Sequence, residues 1–286
     1  MTFQEKINSA VDDTIKYVFT GQKSRIEFSF IKKADNRYSI CIPTMTMCGE
    51  RCSFCHTSSH IGRLRLEQIA YRNIVQGITH IIDDLGLETG EELLLSFMGM
   101  GEPLRNPDIL DVIECFATRN AGTRFAISTS LPKDCVEEFF NLTRGIANLG
   151  LKVKMHLSLH SVYEEERKEL MPYALDIKSS MAMMQFYQAY TRNPVELQYI
   201  VQPGMADCDG VVDNLIDMQA FNNRMLVKFM PLNLKGVPTS WDTPDHAIYM
   251  MKRLSETRIK SEYCVSPGLD IGSSCGSFNM DEYLKK

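Results

Sequence analysis

Hydrophobic positions near the start of the chain recur at the spacing of an α-helix. Successive members of the series lie three or four positions apart, on one helical face: Phe3, Ile7, Val11, Ile15 and Val18. The series predicts one amphipathic helix over residues 3–18. The period then changes to two over residues 26–31 and 38–42, which predicts a β-hairpin with a turn at residues 34–36.

Strand-like and helix-like segments alternate through the rest of the chain. The predicted strands cover residues 93–98, 124–128, 153–159, 195–201, 225–230 and 259–265. The predicted helices cover residues 66–85, 107–118, 133–146, 163–170, 176–191, 211–221 and 246–256. Repeated β-α units of this kind imply a parallel sheet with right-handed crossovers.

The fold class that these segments predict is α/β. About six β-α units are too few for the closed eight-stranded barrel. We therefore predict a partial (β/α)6 TIM-type barrel, open on one side, with an N-terminal helix and β-hairpin added to it. The expected domains are an extension over residues 1–40, a core domain over residues 41–280 and a tail over residues 281–286.

Composition narrows the setting in which the protein works. Hydrophobic residues make up 44% of the chain, enough for a sizeable core, and no apolar run approaches the roughly 18 residues of a membrane span. The N-terminus has no secretory pattern, so the nine cysteines predict a reducing, cytoplasmic location. A net charge of −5 does not suggest a broad nucleic-acid surface, although a local basic patch can coexist with it. We expect a monomer.

Three cysteines lie close together after the hairpin. Cys48, Cys52 and Cys55 have C-x3-C-x2-C spacing, and Phe54 precedes the last of them. Thiolates are the usual protein ligands of a 4Fe–4S cluster, and three of them leave one iron open to a small molecule. The spacing is similar to that of radical S-adenosylmethionine (SAM) enzymes, in which the open iron binds the amino and carboxylate groups of SAM.

These cysteines have two alternative uses, as zinc ligands or in disulfides. A structural zinc ion takes four ligands, usually as two pairs. His56 or His60 could supply a fourth ligand, but the chain has no second C-x2-C pair. A disulfide framework is typical of small secreted domains rather than of a 286-residue chain without a secretory signal.

Polar residues follow several predicted strands, where the active sites of barrels lie. Gly101 and Glu102 belong to a glycine-rich loop after residue 98. Glycines there would allow the backbone to approach a ligand, and Glu102 could accept from the amino group of SAM. Three later strands end in side chains that could bind its carboxylate or ribose: Ser128, Ser158 and Asn233.

Each strand-end residue also has a structural alternative. A serine at a strand end is a common helix cap, and an asparagine forms an Asx turn. His156 and His160 lie four apart on a predicted strand rather than on a helix, so we interpret both as structural histidines and not as zinc ligands.

Three strand-end segments read FMGMGEPL (97–104), ISTS (127–130) and LSLH (157–160). Together with the cysteine loop they resemble the RlmN/Cfr family of radical-SAM adenine methyltransferases, over about residues 26–276. The resemblance implies a radical-SAM core domain, a 4Fe–4S cluster and SAM as cofactors, and an RNA substrate. It also implies a reductant such as flavodoxin or ferredoxin.

Three further residues match positions that the family uses. Cys41 lies seven residues before the first cysteine of the loop, and Cys275 lies in an Asp-Ile-x-x-x-Cys-Gly context. Glu27 resembles a carboxylate on the strand before Cys41, with a spacing one residue longer than expected. The alternatives are small buried hydrophobes for the two cysteines and a solvated strand-edge residue for Glu27. The remaining cysteines match nothing and are interpreted as packing residues: Cys115, Cys135, Cys208 and Cys264.

The resemblance implies a reaction that needs both of these cysteines. One SAM would methylate Cys275 by ordinary displacement, for which a thiolate is the nucleophile. A radical from a second SAM would take hydrogen from that methyl group, and the carbon radical would add to carbon 2 or carbon 8 of adenine. Cys41 would then release the product, either by removing a proton or by attacking Cys275, and the resulting disulfide would have to be reduced.

The chain departs from the family pattern near both ends. Only about 22 residues precede the hairpin, where the family usually carries a domain that helps to grip RNA. We therefore expect a short member of the family without that domain. Both rRNA and a small RNA such as a tRNA are candidate substrates. Residues 264–268 lack the expected basic residues. A basic rim near the cysteine loop, or a scatter of solvated charges, is predicted from Lys32, Lys33, Arg37, Arg63 and Arg65.

Three hypotheses follow from the sequence. The first is a methyltransferase that modifies adenine in RNA. The second is a radical-SAM methylase with the same two-cysteine chemistry that acts on a nucleotide, small molecule or peptide. The third is a non-catalytic iron–sulfur redox or RNA-binding protein.

Overall fold

A computed structural model of the chain describes residues 1–21, 24–33, 37–60, 66–87, 92–119, 122–202, 204–219, 225–233 and 243–278. Within these ranges ten strands form one sheet, and strands that are consecutive in the chain are neighbours in the sheet. The prediction that residues 281–286 are a tail lies outside the described residues, as does the predicted turn at residues 34–36.

The sheet changes character at its fourth strand. The strands are β1 (Thr2–Asn8), β2 (Thr14–Thr20), β3 (Arg25–Lys33), β4 (Arg37–Cys41), β5 (Glu92–Phe97), β6 (Arg124–Thr129), β7 (Val153–Ser158), β8 (Val195–Val201), β9 (Leu226–Pro231) and β10 (Ser261–Tyr263). Strands β1 to β4 pair antiparallel. Strands β4 to β10 pair parallel, so all their carboxyl ends lie at one edge of the sheet.

Helices follow six of the parallel strands. They are α1 (Tyr71–Leu85), α2 (Ile109–Arg119), α3 (Val136–Asn148), α4 (Glu164–Leu170), α5 (Ile177–Thr191), α6 (Cys208–Met218) and α7 (Thr243–Ser255). The units from β4/α1 to β9/α7 number six, and β10 adds a last parallel strand. The predicted α/β class and partial (β/α)6 barrel are therefore confirmed.

The parallel strands are buried on both faces, as helix-covered sheets require. Every residue of β8 is buried. One hydrophobic cluster joins side chains of the sheet to those of the helices, from Tyr17 on β2 to Ile259 before β10.

The predicted N-terminal helix is wrong, because residues 2–20 form the antiparallel strands β1 and β2. Residues 14–20 read TIKYVFT, and such β-branched and aromatic residues favour a pleated surface. Val11, a member of the helical series, is 73% exposed in the turn between the strands. Tyr17 and Phe19 of β2 belong to the main hydrophobic cluster, and they alternate as strand residues do.

The predicted hairpin is confirmed as β3 and β4, with Ser29 opposite Cys41. Because β4 also pairs with β5, the antiparallel extension and the barrel share one continuous sheet. The domain boundary expected at residue 41 stays a prediction. Helix α1 begins five residues later than predicted, since residues 67–69 instead bond to Thr44 and Thr46 as an extended segment.

Candidate active site

A cavity opens at the carboxyl ends of the parallel strands. It is lined by the cysteine loop, by residues that follow β5 to β9, and by the segment after β10. Most of the predicted site residues contribute to it: Cys48, Cys52, Phe54, Cys55, Gly101, Glu102, Ser128, Ser158, Asn233 and Cys275. The two other predicted residues, Cys41 and Glu27, lie on neighbouring strands and not in this lining.

The glycine-rich loop after β5 supports the chain that leads into the cysteine loop. A Cβ atom on Gly99 would lie 2.7 Å from the backbone of Ile42, and one on Gly101 would lie 2.7 Å from the amide nitrogen of Met45. Gly101 also has a φ of 108°, which other residues rarely adopt. The glycines therefore permit contact between two backbone segments, a reason that differs from the ligand approach expected from the sequence.

Backbone hydrogen bonds fix the same contact. The amides of Thr44 and Met45 both donate to the carbonyl of Met100, at 2.9 and 3.2 Å. The amide of Gly99 donates to the carbonyl of Ile42 at 3.1 Å. These bonds hold the start of the cysteine loop to the end of β5.

The cysteine loop is held from two more sides. The amide of Ser53 donates to the carbonyl of Leu170 at the end of α4, at 2.9 Å. The amide of His56 donates to the carbonyl of Gly276, at 2.8 Å. The segment that carries Cys275 is therefore bonded directly to the cysteine loop.

The three thiols of the loop fit an iron–sulfur cluster. Burial raises the pKa of Cys48 and that of Cys52, and the other thiols of the loop raise both further. Three thiolates on one short loop repel one another unless they bind a common cationic group, such as an iron–sulfur cluster. No three His, Cys, Asp or Glu side chains in the described ranges meet as ligands of a single ion. A cluster suits this geometry better than one zinc ion, since it offers each thiolate its own iron.

Glu102 lines the cavity but is almost fully buried, and its carboxylate is the centre of a hydrogen-bond network. One oxygen accepts from the Thr129 hydroxyl at 2.6 Å and from the amide of Leu104 at 3.2 Å. The other accepts from the amide and the hydroxyl of Ser130, at 3.0 and 2.9 Å. A carboxylate has about four acceptor sites, so an amino group of SAM would have to displace one of these donors. The predicted contact between Glu102 and SAM stays a prediction.

Ser128 connects the cavity to a buried network beneath it. Its hydroxyl lies 3.0 Å from Nδ1 of His156, which also lies 3.1 Å from the amide nitrogen of Gln198. Nε2 of His156 lies 3.0 Å from Glu196, a carboxylate that also pairs with Lys228 at 2.9 Å. His156 is thus a structural histidine, and burial lowers its pKa although Glu196 raises it.

A buried arginine holds the strand ends beside Ser158. Arg167 on α4 donates to the carbonyls of Ser158 and Leu159, at 2.6 and 2.5 Å, and to that of Ser130 at 3.3 Å. His160 lies next to this group, with a φ of 57°. Its ring meets the ring of Phe54 edge to face, with the centroids 4.8 Å apart. Burial and the nearby Arg167 lower the pKa of His160 to about 3.

Asn233 and His160 are two polar residues of the cavity lining. In the described part of the chain, neither Oδ1 of Asn233 nor Nδ1 of His160 has a hydrogen-bond partner, and both atoms are buried. Such atoms are costly unless a ligand or water satisfies them. An amide oxygen and an imidazole nitrogen suit the hydroxyl and amino groups of a nucleoside. The residues present therefore fit SAM as well as the cluster.

Cys275 lies close to Cys41. The amide of Asn233 donates to the carbonyl of Cys275 at 3.1 Å. Ser29, which is opposite Cys41 in the sheet, lies 3.1 Å from the carbonyl of Ser273, two residues before Cys275. Burial raises the pKa of Cys275 to about 11, and Cys55 adds to the rise. Burial also raises the pKa of Cys41, and proximity to Cys275 raises it further.

Glu27 lies among basic residues of the antiparallel strands. It is fully buried, and its carboxylate pairs with Arg25 at 2.6 Å and with Lys16 at 3.5 Å. It is two residues from Ser29 and so shares a sheet face with Cys41. It is therefore not the solvated strand-edge residue considered as the alternative, and its catalytic role stays a prediction.

The predicted basic rim does not form as expected. Lys32, Lys33 and Arg37 lie where β3 ends and β4 begins. Arg37 is in register with Glu92 at the amino end of β5 in the parallel pairing of β4 with β5, so these basic residues lie at the edge of the sheet opposite the cavity. Arg63 and Arg65 lie outside the described residues.

Sequence reasoning missed two residues that shape the site, Gln198 and Arg167. Gln198 could have been found as one of two polar residues in the otherwise apolar strand β8. Arg167 gave no such signal, because it sits among charged residues on α4, yet it is only 1% exposed.

The helices offer no candidate for a membrane span. Across the described ranges, none is both long enough and apolar enough to cross a bilayer.

Comparison with known proteins gives a family match across much of the chain. Residues 42–213 match the sequence model of the Radical SAM superfamily. That range begins next to Cys41, includes the cysteine loop and ends within α6.

Two curated relatives extend the similarity beyond that range. The "Probable dual-specificity RNA methyltransferase RlmN" of Clostridioides difficile (strain 630) is 29% identical over 282 residues, covering 95% of this chain and 77% of the relative. The protein of the same name from Chlorobium luteolum is 30% identical over 263 residues, covering 86% and 68%.

A solved structure shares the fold. The crystal structure of a radical SAM methyltransferase from Sphaerobacter thermophilus superposes with a TM-score of 0.78 at 21% identity. The superposition covers 96% of this chain and 80% of that one. The antiparallel strands are therefore included in the shared architecture.

Proposed function

The chain belongs to the radical SAM superfamily, and within it to the RlmN/Cfr family of methyltransferases, and on that premise we propose that it methylates a ring carbon of adenine in RNA through a methylated Cys275. The cofactors of this family are a 4Fe–4S cluster and SAM. The observation that carries the proposal is the meeting of Cys275 with the three loop cysteines in one cavity, with Cys41 adjacent.

Cys48, Cys52 and Cys55 would hold the cluster, and Asn233 and His160 would receive polar groups of SAM. When bound, the cluster supplies the electron that cleaves SAM reductively. The aromatic edge of Phe54 and the methionines around the cavity limit the access of water, which protects reactive species from side reactions.

Cys275 is the proposed methyl carrier. A ring carbon of adenine is electron-poor and does not attack an electrophilic methyl group, whereas a thiolate does. With a pKa of about 11, the Cys275 thiol is protonated in the ligand-free site at neutral pH. A cationic methyl donor beside it would favour the thiolate, because an opposite charge lowers the pKa of a thiol.

Cys41 is the proposed partner that frees the product. It lies on a strand next to the Cys275 segment, and burial raises its pKa, so its thiol would have to lose its proton before it acts as a base or a nucleophile. The Cys41 thiolate would remove the proton from the substituted ring carbon, or attack the Cys275 sulfur. In the second route the S–S bond would form as the bond between that sulfur and the transferred carbon breaks, and that carbon would take up a proton to become the methyl group. The one surplus electron of the ring would pass to the cluster when it is bound. The second route leaves a Cys41–Cys275 disulfide, which a reductant such as flavodoxin or ferredoxin would have to reduce to two thiols before the next turnover.

Mass spectrometry of total RNA nucleosides tests the proposal. We expect a methyladenosine with the methyl group on a ring carbon in cells that carry the gene, and its absence when the gene is deleted. Separate analysis of rRNA and tRNA identifies the substrate class. An unchanged nucleoside profile, together with SAM cleavage by the purified protein, would favour a substrate other than RNA.

Two variants test the roles of the cysteines. Cys41→Ala should retain the substrate as a covalent adduct visible in the intact mass of the purified protein. Cys275→Ala should cleave SAM and transfer no methyl group. Full methyl transfer by Cys275→Ala would reject the carrier role, and Cys208→Ala on α6 is the matched control.

A further inference from the structure

The segment that carries Cys275 has no regular secondary structure. After β10 ends at Tyr263, residues 264–278 run through successive turns. Side chains on such segments are less rigidly held than those on strands. Val265 is 76% exposed and Leu269 is 40% exposed, so apolar packing anchors little of the stretch before Cys275. The position of this cysteine depends on the polar contacts of the segment.

Asp270 makes two of these contacts with the turn between β1 and β2. Its carboxylate accepts from the hydroxyl of Ser9 at 2.7 Å and from the amide of Ala10 at 2.7 Å. The Ser9 hydroxyl also accepts from the amide of Asp12, so the turn is ordered around the same atoms.

Asp12 makes the reciprocal contact from the turn. One carboxylate oxygen accepts from the amide of Gly268 at 2.8 Å, and the other accepts from the amide of Thr14 at 2.8 Å. Two aspartates thus bond in opposite directions across one junction. We call Ser9, Asp12, Gly268 and Asp270 the hairpin clamp, because they join the hairpin formed by β1 and β2 to the Cys275 segment.

The junction is closely packed as well as hydrogen-bonded. Gly268 has a φ of 68°, and a Cβ atom there would lie 2.7 Å from Thr14 and 2.9 Å from Ser273. Ser273 in turn contacts Ser29, the residue opposite Cys41. The clamp therefore sets where the segment lies above Cys41.

The clamp is poorly placed to stabilise the whole fold. Its contacts through Asp270 are exposed to solvent, where a hydrogen bond contributes about 1 kcal/mol or less. Yet its bonds are concentrated on the segment that ends in Cys275. This distribution fits the positioning of one side chain better than general stability.

We propose that Asp12 and Asp270 are positioning residues that hold the Cys275 segment against the antiparallel strands, so that Cys275 faces Cys41. The inference rests on the proposed roles of these two cysteines. It gives β1 and β2 a role in positioning Cys275, although they supply no residue to the lining of the cavity.

The formation of a Cys41–Cys275 disulfide measures this placement directly. The cluster-loaded protein, without SAM or RNA, is equilibrated anaerobically in glutathione redox buffers, and the linked peptides are quantified by mass spectrometry. The two thiols lose two protons and two electrons, and glutathione disulfide accepts them to give two glutathione thiols.

Asp12→Ala and Asp270→Ala should lower the equilibrium constant for this disulfide by roughly threefold to tenfold, as expected for the loss of hydrogen bonds to a carboxylate. Asp13→Ala is the matched control, because it removes an exposed aspartate from the same turn. Ser9→Ala should lower the constant as well, because the Ser9 hydroxyl both donates to Asp270 and accepts from the amide of Asp12.

Alkylation separates positioning from loss of structure. Iodoacetamide should modify Cys275 faster in both clamp variants, with no change at Cys135, which is 3% exposed in the core. Equal disulfide constants and alkylation rates in the clamp variants and Asp13→Ala would overturn the inference, as would a wild-type protein that forms no Cys41–Cys275 disulfide. Neither readout uses RNA or SAM, so a failure to methylate RNA would leave this result unaffected.

Discussion

At the scale of single residues, the site depends on two glycines as much as on its reactive side chains. Gly99 and Gly101 let the end of β5 lie directly against residues 42–45. That contact fixes the position of the start of the cysteine loop relative to the end of β5. A side chain at either position would act on the cluster ligands without touching the cluster.

Gly101→Ala should destabilise the protein by more than about 2 kcal/mol, because strain at positive φ adds to a contact with the Met45 backbone. Gly150→Ala is the control. Its φ is 62°, but nothing lies within 4 Å of the added Cβ, so only the strain of about 1 kcal/mol applies. Urea unfolding measures both, and equal losses would contradict the role assigned to the close contact.

Cys52→Ala should lose most of the iron of the reconstituted protein, which in the wild type should approach about four atoms per chain. Cys115→Ala on α2 removes a thiol outside the loop and should keep the full iron content. Iron and sulfide analysis with absorption spectroscopy gives the answer. Retention of iron by Cys52→Ala would remove this cysteine from the ligand set.

The proposed cluster ligands could be chosen from the sequence because their spacing is local. Cys48, Cys52 and Cys55 lie on one short loop, so the chain itself keeps them together. The partner of Gly101 was not predictable, since it lies more than fifty residues away across a sheet contact that only the fold creates. The hydrogen bonds that occupy Glu102 were hidden for the same reason.

At the scale of elements, the strands β1 and β2 show how a sequence pattern can mislead. Five apolar residues at helical spacing predicted a helix, but β2 reads as a buried strand once the β-branched and aromatic content of residues 14–20 is weighed. The parallel strands were easier to predict, because their short apolar runs are bounded by turns and helices. The strength of a pattern depends on whether packing against distant elements agrees with it.

The pairing of β2 with β3 buries a charge cluster that can be tested. Glu27→Gln should destabilise the protein by about 3 kcal/mol, because it leaves Lys16 and Arg25 buried without their carboxylate. Glu5→Gln, at an exposed contact of Arg25, should change stability by less than about 0.5 kcal/mol. Urea unfolding provides the comparison.

The same variant examines the predicted catalytic role of Glu27. If this residue only supports the strands, the turnover of folded Glu27→Gln should stay near the wild-type value once the folded fraction is corrected for. A loss of methyl transfer beyond that correction would instead favour a catalytic role.

At the scale of the whole molecule, polar residues from strands β6 to β9 meet in one buried network. Beneath the cavity, His156 joins Ser128 on β6 to Glu196 and Gln198 on β8. His160 follows β7 at the cavity itself. Ionisation of either histidine is opposed by burial, so the stability of the entire fold depends on pH.

The free energy of unfolding should fall as pH decreases from about 6.5 toward 3. The pKa of His160 is lowered to about 3, so the unfolded chain binds a proton there that the folded chain does not. Its stabilising contribution is complete above about pH 6.5 and is lost below it, at about 1.4 kcal/mol per pH unit. Urea unfolding of the apo-protein between about pH 7.5 and 5 measures the slope.

His160→Gln should make the free energy of unfolding depend less steeply on pH. His156→Gln should also reduce this dependence, since burial lowers the pKa of His156 as well. His246→Gln on α7 is the control, at a half-buried position outside the cavity. An unchanged slope in both cavity-side variants would contradict the assignment.

The hairpin clamp also has a consequence for how the protein is made. Ser9 and Asp270 are 261 positions apart, so a ribosome adding about 5–20 residues per second takes roughly 13–50 seconds to supply the second after the first. The cysteine loop emerges early in that interval, and Cys275 emerges after it. The three cysteines proposed to bind iron are therefore synthesised well before Cys275, the proposed methyl carrier, so that assembly of the metal centre can precede the onset of activity.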